Sequence, residues 1–456
     1  MYLGLDFGTS GARACVVDDN RSITWEQSIA YLNPAEQTPL DWRTALNSLL
    51  TAMPKSIAGQ LRGLAIDGTS GTVLLCDKDL NPVTPALLYH DDRAHQQASQ
   101  LTAIAPKGHI VCTATSGLAK FLWLTAPRPS TGRVSGGGVN AASSLLDSRL
   151  PTFGVPLTGA QQNDFKPAAY FLHQADWLTA LLSGQPGISD YHNALKTGYD
   201  IDRLCWPDWI MTLPHAHLLP QVFTPGENIG YIQPDIAAHF GIHPQCAIHA
   251  GTTDSIAAFI ATEINEIGVG ITSLGSTLVL KQLSPTRIDA PEFGVYSHRY
   301  ADLWLVGGAS NAGGCVLRRY FDDAQLAALS AHIDPLQTSP LDYYPLSKTG
   351  ERFPVNDAHL APRMEPRLLR PGSGQAESDV EFLHGLLQGL ARIEAAGYAK
   401  LAALDAPPLS RVITNGGGAK NTVWCQMRER LLGVPVSTAL HTQAAYGSAL
   451  LCTRNG

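Results

Sequence analysis

Two aspartates in this chain are candidates for carboxylate chemistry, because each lies next to a turn rich in glycine, serine or threonine. Asp6 ends the apolar run LGLD and precedes the turn FGTSG, and Asp254 follows AGTT and precedes an apolar segment of helical character. A carboxylate at the tip of a buried strand is costly unless a cation or several hydrogen-bond donors face it. From these stretches alone, Asp6 is also compatible with capping its own turn, and Asp254 with capping the helix that follows it.

Four turns along the chain share this composition of glycine, serine and threonine. Glycine lets a backbone approach an anion closely, consecutive N–H groups form a concave anion nest, and the hydroxyls add donors. None of the turns matches the P-loop or the dinucleotide-binding pattern. Any single one is weak evidence, because such turns are common. Their recurrence in both halves of the chain favours phosphate binding at DFGTSG (6–11), IDGTSG (66–71), SLGST (273–277) and NGGGAKN (415–421).

The composition excludes several classes of function. The 456 residues are 45% hydrophobic and 16% charged with a net charge of −7, which is typical of a packed globular protein and gives no support to a nucleic-acid or membrane partner. The eight cysteines include no C-x-x-C pair, so we expect reduced thiols rather than a zinc site or a disulfide framework. With no signal segment and no apolar run of about 20 residues, we expect a cytoplasmic protein. It is expected to be a monomer or a homodimer.

The elements that must position the turns follow one pattern, which occurs twice. Strands and a helical window at 41–59 open the chain, and the same order of strand, small-residue turn and helix restarts near residue 246. We therefore predict an α/β fold with two domains, residues 1–245 and 246–456. The strands expected in the first half are 2–6, 13–17, 22–31, 61–67 and 72–77.

Three further segments have a recognisable character. Residues 168–184 carry apolar side chains at helical spacing before a glycine, which predicts a buried helix. Residues 127–166 are rich in glycine, proline and serine and are expected to form a long surface loop or a flap. Residues 335–375 are rich in proline and are expected to be irregular.

Four motifs, in chain order, resemble those of the FGGY carbohydrate kinases, which belong to the superfamily of sugar kinases, actin and heat-shock ATPases. They look like the N-terminal phosphate turn, the catalytic-base turn, the second phosphate turn and the adenosine turn of that family. The likeness runs from residue 2 to residue 452. It implies two ribonuclease-H-like domains of the actin-like ATPase fold, with ATP and a sugar meeting in the cleft between them. The motifs are GLDFGTSGARACVVD, GTTDSIAAF, SLGSTLVL and NGGGAKNTVWCQMRERLLGVPV.

The resemblance implies a role for each turn. Asp6 is expected to face Mg²⁺ and the transferred phosphoryl group, and Asp254 to act as the general base that accepts the proton of the sugar hydroxyl. Arg13 is equally compatible with a solvated strand residue. ATP is expected to contact Gly8, Thr9, Ser10, Arg13, Gly275, Ser276, Thr277, Gly417, Gly418 and Asn421.

The sugar side rests on the loop IDGTSG, which aligns with the loop that sets substrate class in relatives. Xylulokinases typically carry Gln-Met-His-Gly there and glycerol kinases Gln-Arg-Glu, whereas small hydroxyl residues after an acid, here Asp67, look more like D-ribulose kinases. Asp91 and Arg93 of YHDDRA are equally able to pair with each other, and His192 is interpreted as a buried histidine with its hydrogen bonds satisfied. The residues expected to contact the sugar are Thr69, Ser70, Asp91, Arg93, Asp254 and Ser255.

The function expected from these features is ATP-dependent phosphorylation of a pentulose, D-ribulose first and D-xylulose second. The alternative from another class is an actin-like ATPase that uses nucleotide as a conformational switch and needs no acid at position 254. Two positions depart from the family pattern. Relatives usually carry Glu where this chain has Gln443 and a smaller residue where it has Tyr446, which affects the details expected of the adenine pocket.

Overall fold

The chain divides into two compact units. The computed structural model describes residues 1–127, 167–365 and 379–453, so most of the predicted loop 127–166 and the last residues of the predicted stretch 335–375 lie outside the described residues. The first unit comprises Met1–Ala261 with Gln443–Gly456, and the second comprises Thr262–Thr442. This division differs from the predicted boundary after residue 245. The strands Ala247–His249 and Thr252–Thr253 pair with the strand Gly63–Gly68 of the first sheet, and the helix Asp254–Ile260 follows them directly.

The first unit is built on a mixed sheet. Its main strands lie in the order β3, β2, β1, β4, β10, β9, with β11 alongside β4. β1 is antiparallel to β2 and parallel to β4. The strands of this unit are β1 Tyr2–Phe7, β2 Gly11–Val17, β3 Ile23–Ala30, β4 Gly63–Gly68, β5 Val73–Cys76, β6 Tyr170–His173, β7 Ile188–Asp190, β8 Gln221–Phe223, β9 Asn228–Tyr231, β10 Ala247–His249 and β11 Thr252–Thr253.

Helices cover this sheet and bury its apolar face. The N-cap of the first helix is Thr38, whose hydroxyl accepts from the amide of Asp41 while the Asp41 carboxylate accepts from the amide of Thr38. Pro54 interrupts the predicted helix 41–59, which therefore becomes two. The helices up to residue 261 are α1 Pro39–Ala52, α2 Lys55–Ala58, α3 His95–Ile104, α4 Gly117–Thr125, α5 Gln174–Ser183, α6 Tyr191–Leu195, α7 Asp208–Met211, α8 Pro234–Phe240 and α9 Asp254–Ile260.

The predicted helix 168–184 is wrong in its first turn. Residues Tyr170–His173 form β6, which pairs antiparallel with β5, and the helix α5 starts only at Gln174. All ten residues of α5 are buried, and Gly184 ends it in the left-handed conformation at φ 70°. Helical spacing of apolar residues does not exclude a short buried strand before the helix, and the strand partner here decides the outcome.

The second unit repeats the plan on a six-stranded sheet. Its order is β14, β15, β13, β12, β16, β17. The long helix α12 buries Phe382, Leu386 and Leu390 in the core of this unit. The elements are β12 Val269–Leu274, β13 Leu278–Ser284, β14 Tyr296–Tyr300, β15 Leu303–Ser310, α10 Gly314–Leu317, α11 Asp323–Ser330, α12 Asp379–Ala403, β16 Arg411–Asn415, α13 Thr422–Leu432 and β17 Val436–Thr438.

The two sheets share one strand arrangement. In the first, β3, β2 and β1 are antiparallel neighbours and β4 and β10 continue parallel to β1. In the second, β15, β13 and β12 are antiparallel neighbours and β16 and β17 continue parallel to β12. The predicted α/β fold with two similar domains is therefore confirmed.

The last helix, α14 Ala444–Leu451, belongs to the first unit and all of its residues are buried. It lies so close to β1 that a Cβ added to Gly4 would stand 1.8 Å from the carbonyl oxygen of Ala445. A Cβ on Gly447 would stand 1.9 Å from the carbonyl oxygen of Ala257 in α9. Only glycine permits these two backbone approaches.

Two expectations from the composition concern the cysteines and membrane-spanning segments. All eight cysteines are free thiols. Among the helices of the described ranges, none is long and apolar enough to cross a membrane.

Candidate active site

Three aspartates meet at one edge of the first unit's sheet. Asp6 and Asp67 are opposite each other on the parallel strands β1 and β4, and Thr252 of β11 is opposite Asp67, shortly before Asp254. Asp6 is 2% exposed and Asp67 is fully buried, whereas Asp254 is partly exposed at the start of α9. Parallel pairing explains this convergence, because the carboxyl ends of parallel strands lie at the same edge of a sheet.

Each buried carboxyl uses one oxygen within the protein. Asp6 Oδ2 accepts from Arg13 Nη1 at 3.0 Å, and Asp67 Oδ2 accepts from Ser448 Oγ at 2.6 Å. Burial raises the pKa of Asp6, an effect that Arg13 opposes. The pKa of Asp67 is raised well above its ordinary value, first by burial and then by the negative charges of Asp6 and Asp254. Both shifts have the same direction, so it is unfavourable for the two buried carboxyls to be charged together unless a cation or a proton compensates.

The remaining oxygens of this pair suit a hard cation. Asp6 Oδ1 and Asp67 Oδ1 are buried and have no hydrogen-bond partner among the described residues. Mg²⁺ takes oxygen ligands, usually binds one or two carboxylates and keeps several waters. Across the described ranges, no group of three or more His, Cys, Asp or Glu side chains is arranged to hold a metal. The Asp6–Asp67 pair therefore fits Mg²⁺ as a source of two carboxylate ligands.

Asp254 is not the cap of its helix. The N-cap residue of α9 is Thr253, whose side chain makes no capping hydrogen bond, and Asp254 is the first helical residue. Its Oδ1 accepts from the amide of Ser255 at 2.6 Å, and Ser255 is exposed. Asp254 is therefore not the N-cap residue of α9, but its side chain still accepts a hydrogen bond from an amide of the first turn, and it is partly exposed.

The first turn presents its hydroxyls to solvent. The amide of Gly8 donates to the carbonyl of Gly11 at 3.1 Å, which closes the turn, and Thr9 and Ser10 are exposed. Arg13, on β2, is not simply a solvated strand residue, because its guanidinium is held by Asp6 while 43% of its side chain remains exposed. The cation is thus fixed beside the turn.

The loop after β4 contains a buried threonine, Thr69, and a partly exposed serine, Ser70. The amide and hydroxyl of Thr69 both donate to Gln174 Oε1 at 2.9 Å, and Thr69 Oγ1 lies 2.6 Å from Thr72 Oγ1. Ser70 is partly exposed. Gly71 turns the chain with φ 82°, a value that favours glycine. Thr69 therefore shapes the loop, and Ser70 offers the hydroxyl that a ligand can reach.

Asp91 and Arg93 pair with each other, which is one of the two arrangements that the sequence leaves open. Arg93 Nε donates to Asp91 Oδ1 at 2.8 Å and Nη2 lies 2.7 Å from Oδ2. Burial works to raise the pKa of Asp91, but the hydrogen bonds from Arg93 outweigh it, so the net shift is downward. Arg93 also lies over the ring of Trp123, 5.1 Å from its centroid.

In the second unit, one predicted phosphate turn joins β12 to β13. Gly275 and Ser276 are exposed and Thr277 is partly exposed. The turn is fixed from behind, because the amides of Gly314 and Cys315 donate to the carbonyls of Gly275 and Ser276 at 2.9 and 3.1 Å. The other side of the turn faces solvent.

The other turn follows β16, the parallel neighbour of β12. A Cβ on Gly416 would lie 2.7 Å from the carbonyl oxygen of Leu274, so the two turns are close within this unit. Gly417 is exposed and Gly418 partly exposed. Asn421 is occupied within the protein as the N-cap of α13: its Oδ1 accepts from the amide of Trp424 at 3.0 Å and its Nδ2 donates to Ser330 Oγ at 2.8 Å.

Several residues that contact the candidate site could not be recognised from the sequence around them. Ser448 reaches Asp67 from the far end of the chain, and Gln174 holds the amide of Thr69. His192 is buried and its Nδ1 lies 2.7 Å from Thr252 Oγ1, so its interpretation as a satisfied histidine is confirmed. Asn193 adds a bond to the Thr252 carbonyl at 3.2 Å. Tyr446, a departure from the family pattern, is buried in the first unit, where its hydroxyl donates to the carbonyl of Arg21.

Comparison with known proteins identifies the family. The family models of the FGGY carbohydrate kinases match at both ends, the N-terminal domain over residues 1–136 and the C-terminal domain over residues 271–455. The xylulose kinase of Klebsiella pneumoniae is 23% identical over 95% of this chain and 85% of its own length. The gluconokinase of Bacillus subtilis is 21% identical over 93% of this chain and 81% of its own length. The match to the xylulose kinase of Lactococcus lactis is 24% identical but spans 63% of this chain and 54% of that protein.

Solved structures share the fold. A crystal structure described as a xyloylose kinase from Brucella ovis matches with a TM-score of 0.75 at 21% identity, over 99% of this chain and 90% of that one. The gluconate kinase of Lactobacillus acidophilus matches with a TM-score of 0.78 at 16% identity, over 99% and 88%. The chain belongs to the FGGY family of carbohydrate kinases, which are phosphotransferases, and it has their actin-like ATPase fold.

Proposed function

We propose that this chain transfers the γ-phosphoryl group of ATP to the terminal primary hydroxyl of a ketopentose, with D-ribulose as the preferred substrate. The observation that carries the proposal is the convergence of Asp6, Asp67 and Asp254 at one sheet edge, where Ser70 and Ser255 offer accessible hydroxyls. Phosphoryl transfer to an alcohol requires a proton acceptor and groups that hold the phosphates. The convergence supports a site that supplies both kinds of group.

Asp254 is the proposed general base. Its carboxylate is partly exposed and takes the hydroxyl proton as the oxygen attacks phosphorus. Asp6 and Asp67 are the proposed ligands of Mg²⁺, which when bound neutralises charge that develops on the phosphates. Arg13 holds Asp6 in place and presents its exposed side to the same phosphates.

The nucleotide is proposed to bind through backbone rather than side-chain recognition. The exposed turns at Gly8–Ser10 and Gly275–Thr277 offer N–H groups and hydroxyls to the phosphates. Gly417 and Gly418 leave room for the flat adenosine. Because both ends of its side-chain amide are engaged, Asn421 acts by fixing the start of α13 beside these glycines.

Two ketopentoses compete for the assignment. The loop supports D-ribulose, because Thr69 and Ser70 are small hydroxyl residues after an acid, as in D-ribulose kinases. The names of the relatives support D-xylulose. In both readings Asp91 and Arg93 act as a pair: the pair offers a fixed carboxylate and guanidinium to the sugar hydroxyls. We also propose the cytoplasm as the site of the reaction, in keeping with the eight free thiols.

The test is a comparison of ADP release with D-ribulose, D-xylulose, gluconate and glycerol, in the presence of Mg²⁺ and ATP. We expect the highest kcat/KM for D-ribulose and a product that carries phosphate on its terminal primary carbon by ³¹P and ¹³C NMR. A higher value for D-xylulose would replace the first sugar by the second. If gluconate or glycerol is preferred, the ketopentose proposal fails while membership of the kinase family stands.

A matched pair of variants tests the general base. Asp254→Asn is expected to lower kcat by about 10²–10⁴-fold, the usual contribution of general base catalysis. Asp235→Asn is the control, because Asp235 is likewise an acid in the first turn of a helix of the same unit, α8, but is not among the proposed site residues. An ATPase rate that needs no sugar and survives Asp254→Asn would favour the nucleotide-switch alternative.

A further inference from the structure

Lys120 is a buried cation outside the residues discussed so far. It lies on α4, its side chain is fully buried, and its neighbours Ala119 and Phe121 belong to an apolar core cluster. The ammonium donates to three backbone carbonyls: to Gly71 at 2.8 Å, to Leu88 at 2.7 Å and to Tyr89 at 3.3 Å. The protonated Lys120 has three N–H donors for these three acceptors, and the neutral amine keeps two of them.

The three carbonyls come from two different segments. Gly71 belongs to the loop with Thr69 and Ser70, and Leu88 and Tyr89 immediately precede the Asp91–Arg93 pair. The segments are already neighbours, since Val73 and Leu87 exchange backbone hydrogen bonds at 3.0 and 2.8 Å. The Val73–Leu87 pair lies outside the stretches that carry Ser70 and the Asp91–Arg93 pair. Beyond it, Lys120 connects the two segments.

Lys120 is retained at a cost. Burial lowers its pKa to about 7, with Asp91 opposing the shift and Lys196 adding to it. An apolar side chain at this position of α4 would avoid burying a charge but would leave the three carbonyls without this donor. A residue kept against such a penalty is explained by what its hydrogen bonds hold in place.

We infer that Lys120 is a positioning residue for the sugar: it fixes the Thr69–Gly71 loop and the 88–93 segment relative to each other, so that Ser70 and the Asp91–Arg93 pair face one substrate together. The inference rests on the proposed function, because those residues are assigned to the sugar there. Lys120 itself acts through backbone carbonyls and has no contact with the phosphates in this assignment. Its loss therefore affects the sugar and not the nucleotide.

The test uses Lys120→Met, which keeps the length of the side chain and removes its donors. Lys55→Met is the matched control, because Lys55 also donates to a backbone carbonyl, that of His239 at 3.3 Å, but is exposed and belongs to α2. Hydrogen–deuterium exchange of the ligand-free proteins is followed by mass spectrometry over residues 69–73 and 87–93. Steady-state kinetics then give KM for D-ribulose, D-xylulose and ATP.

We expect Lys120→Met to exchange at least tenfold faster in both segments. KM for the ketopentose should rise by about 10–100-fold, because the displaced Asp91–Arg93 pair would no longer make one or two hydrogen bonds to the sugar. KM for ATP should change less than twofold, and Lys55→Met should match the wild type throughout. A merely structural role would raise both KM values or lower kcat with either substrate saturating. Unchanged exchange in either segment, or equal changes in the two KM values, would overturn the inference.

The same experiment separates the two proposals. If the wild type phosphorylates ketopentoses but Lys120→Met behaves like Lys55→Met, the positioning role fails and the proposed function stands. If the wild type phosphorylates no ketopentose, the proposed function fails and the sugar role of Lys120 fails with it. The exchange data still decide then whether Lys120 holds the two segments together.

Discussion

Asp6 and Asp67 illustrate how one residue changes the chemistry of another. Each is buried and accepts from another side chain, Asp6 from Arg13 and Asp67 from Ser448, and the pKa of each is raised, by burial first. A lone buried carboxylate is costly, so the pair needs a shared proton or a cation. This need is consistent with the proposed binding of Mg²⁺ at this edge of the sheet.

Removing the Asp6 carboxylate tests this at the residue scale. Asp6→Ala is expected to abolish turnover while the fold is retained, because Asp67 keeps its bond from Ser448 and loses a neighbouring negative charge. Mn²⁺ binding, followed by electron paramagnetic resonance in the presence of ATP, should weaken at least tenfold. Activity and Mn²⁺ affinity like those of the wild type would remove Asp6 from the cation site.

Ser70 tests the substrate assignment. Its partly exposed hydroxyl is the one in the loop that a sugar can reach, whereas the Thr69 hydroxyl is bonded to Gln174. Losing one buried hydrogen-bond partner costs about 1–3 kcal/mol, or roughly ten- to a hundredfold in kcat/KM. Ser70→Ala should therefore lower kcat/KM for D-ribulose by that factor and leave KM for ATP unchanged. Equal kinetics for the variant and the wild type would separate Ser70 from the sugar.

Lys120 gives a pH dependence with a definite sign. Burial lowers its pKa from 10.5 to about 7, so between these values the unfolded chain binds more protons than the folded one. Stability therefore rises with pH across this window, by at most about 1.4 kcal/mol per pH unit. Relative to Lys120→Met, the wild type should gain roughly 1–2 kcal/mol between pH 7.5 and 9, measured by urea unfolding. A flat difference would show that the amine keeps its proton in the fold.

At the scale of elements, the turns of the second unit depend on a buried ion pair beneath them. Arg428 of α13 donates to both carboxylate oxygens of Glu394 on α12, at 2.6 and 2.7 Å, and to Thr414 of β16 at 2.8 Å. Glu394 also accepts from Thr272 of β12 at 2.6 Å. The network thus joins β12 and β16, whose ends form the two turns proposed to bind the nucleotide. Nothing in the local sequence indicates it, because its members are far apart along the chain.

Breaking this pair should destabilise the second unit strongly. Arg428→Met leaves Glu394 buried without its cation, which typically costs about 3–5 kcal/mol. Arg411→Met is the control, because the ion pair of Arg411 with Glu266 is exposed and such pairs contribute about 0–1 kcal/mol. Denaturant unfolding measures both. The double variant Glu394→Leu with Arg428→Met should recover most of the loss, and a failure to recover would show that packing rather than the unpaired charge is responsible.

The pairing and packing of the strands and helices decide which site residues could be predicted from the sequence. Asp6 and Asp254 could be predicted because a local pattern of strand, acid and turn marks each of them. The partner of Asp6 could not, since Asp67 is brought opposite it by the parallel register of β1 and β4. Lys120 could not either, because a lysine on a helix is ordinarily exposed and only tertiary packing buries it.

At the scale of the whole molecule, the repeated strand order was predictable and the path of the chain was not. Similar turns and helices in both halves indicate two related sheets, which the structure has. The apolar segment AAYGSALL carries no information about which sheet it covers. Gly4 and Gly447 are its only signal, since each allows a backbone approach that a side chain would prevent. The last helix accordingly completes the unit that begins the chain.

This path predicts the effect of truncating the chain. Ending it at Thr442 removes α14, which uncovers the face of β1 at Gly4 and takes away Ser448, the donor to Asp67. The first unit should then lose its cooperative fold, while the second, which ends at Thr442, retains slow hydrogen exchange in β12 and β16. Ending the chain at Thr453 keeps α14 whole and is the control, expected to match the full chain in exchange and activity. Slow exchange in β1 and β4 without α14 would contradict the assignment of this helix to the first unit, because a sheet that depends on a covering helix cannot protect its amides without it.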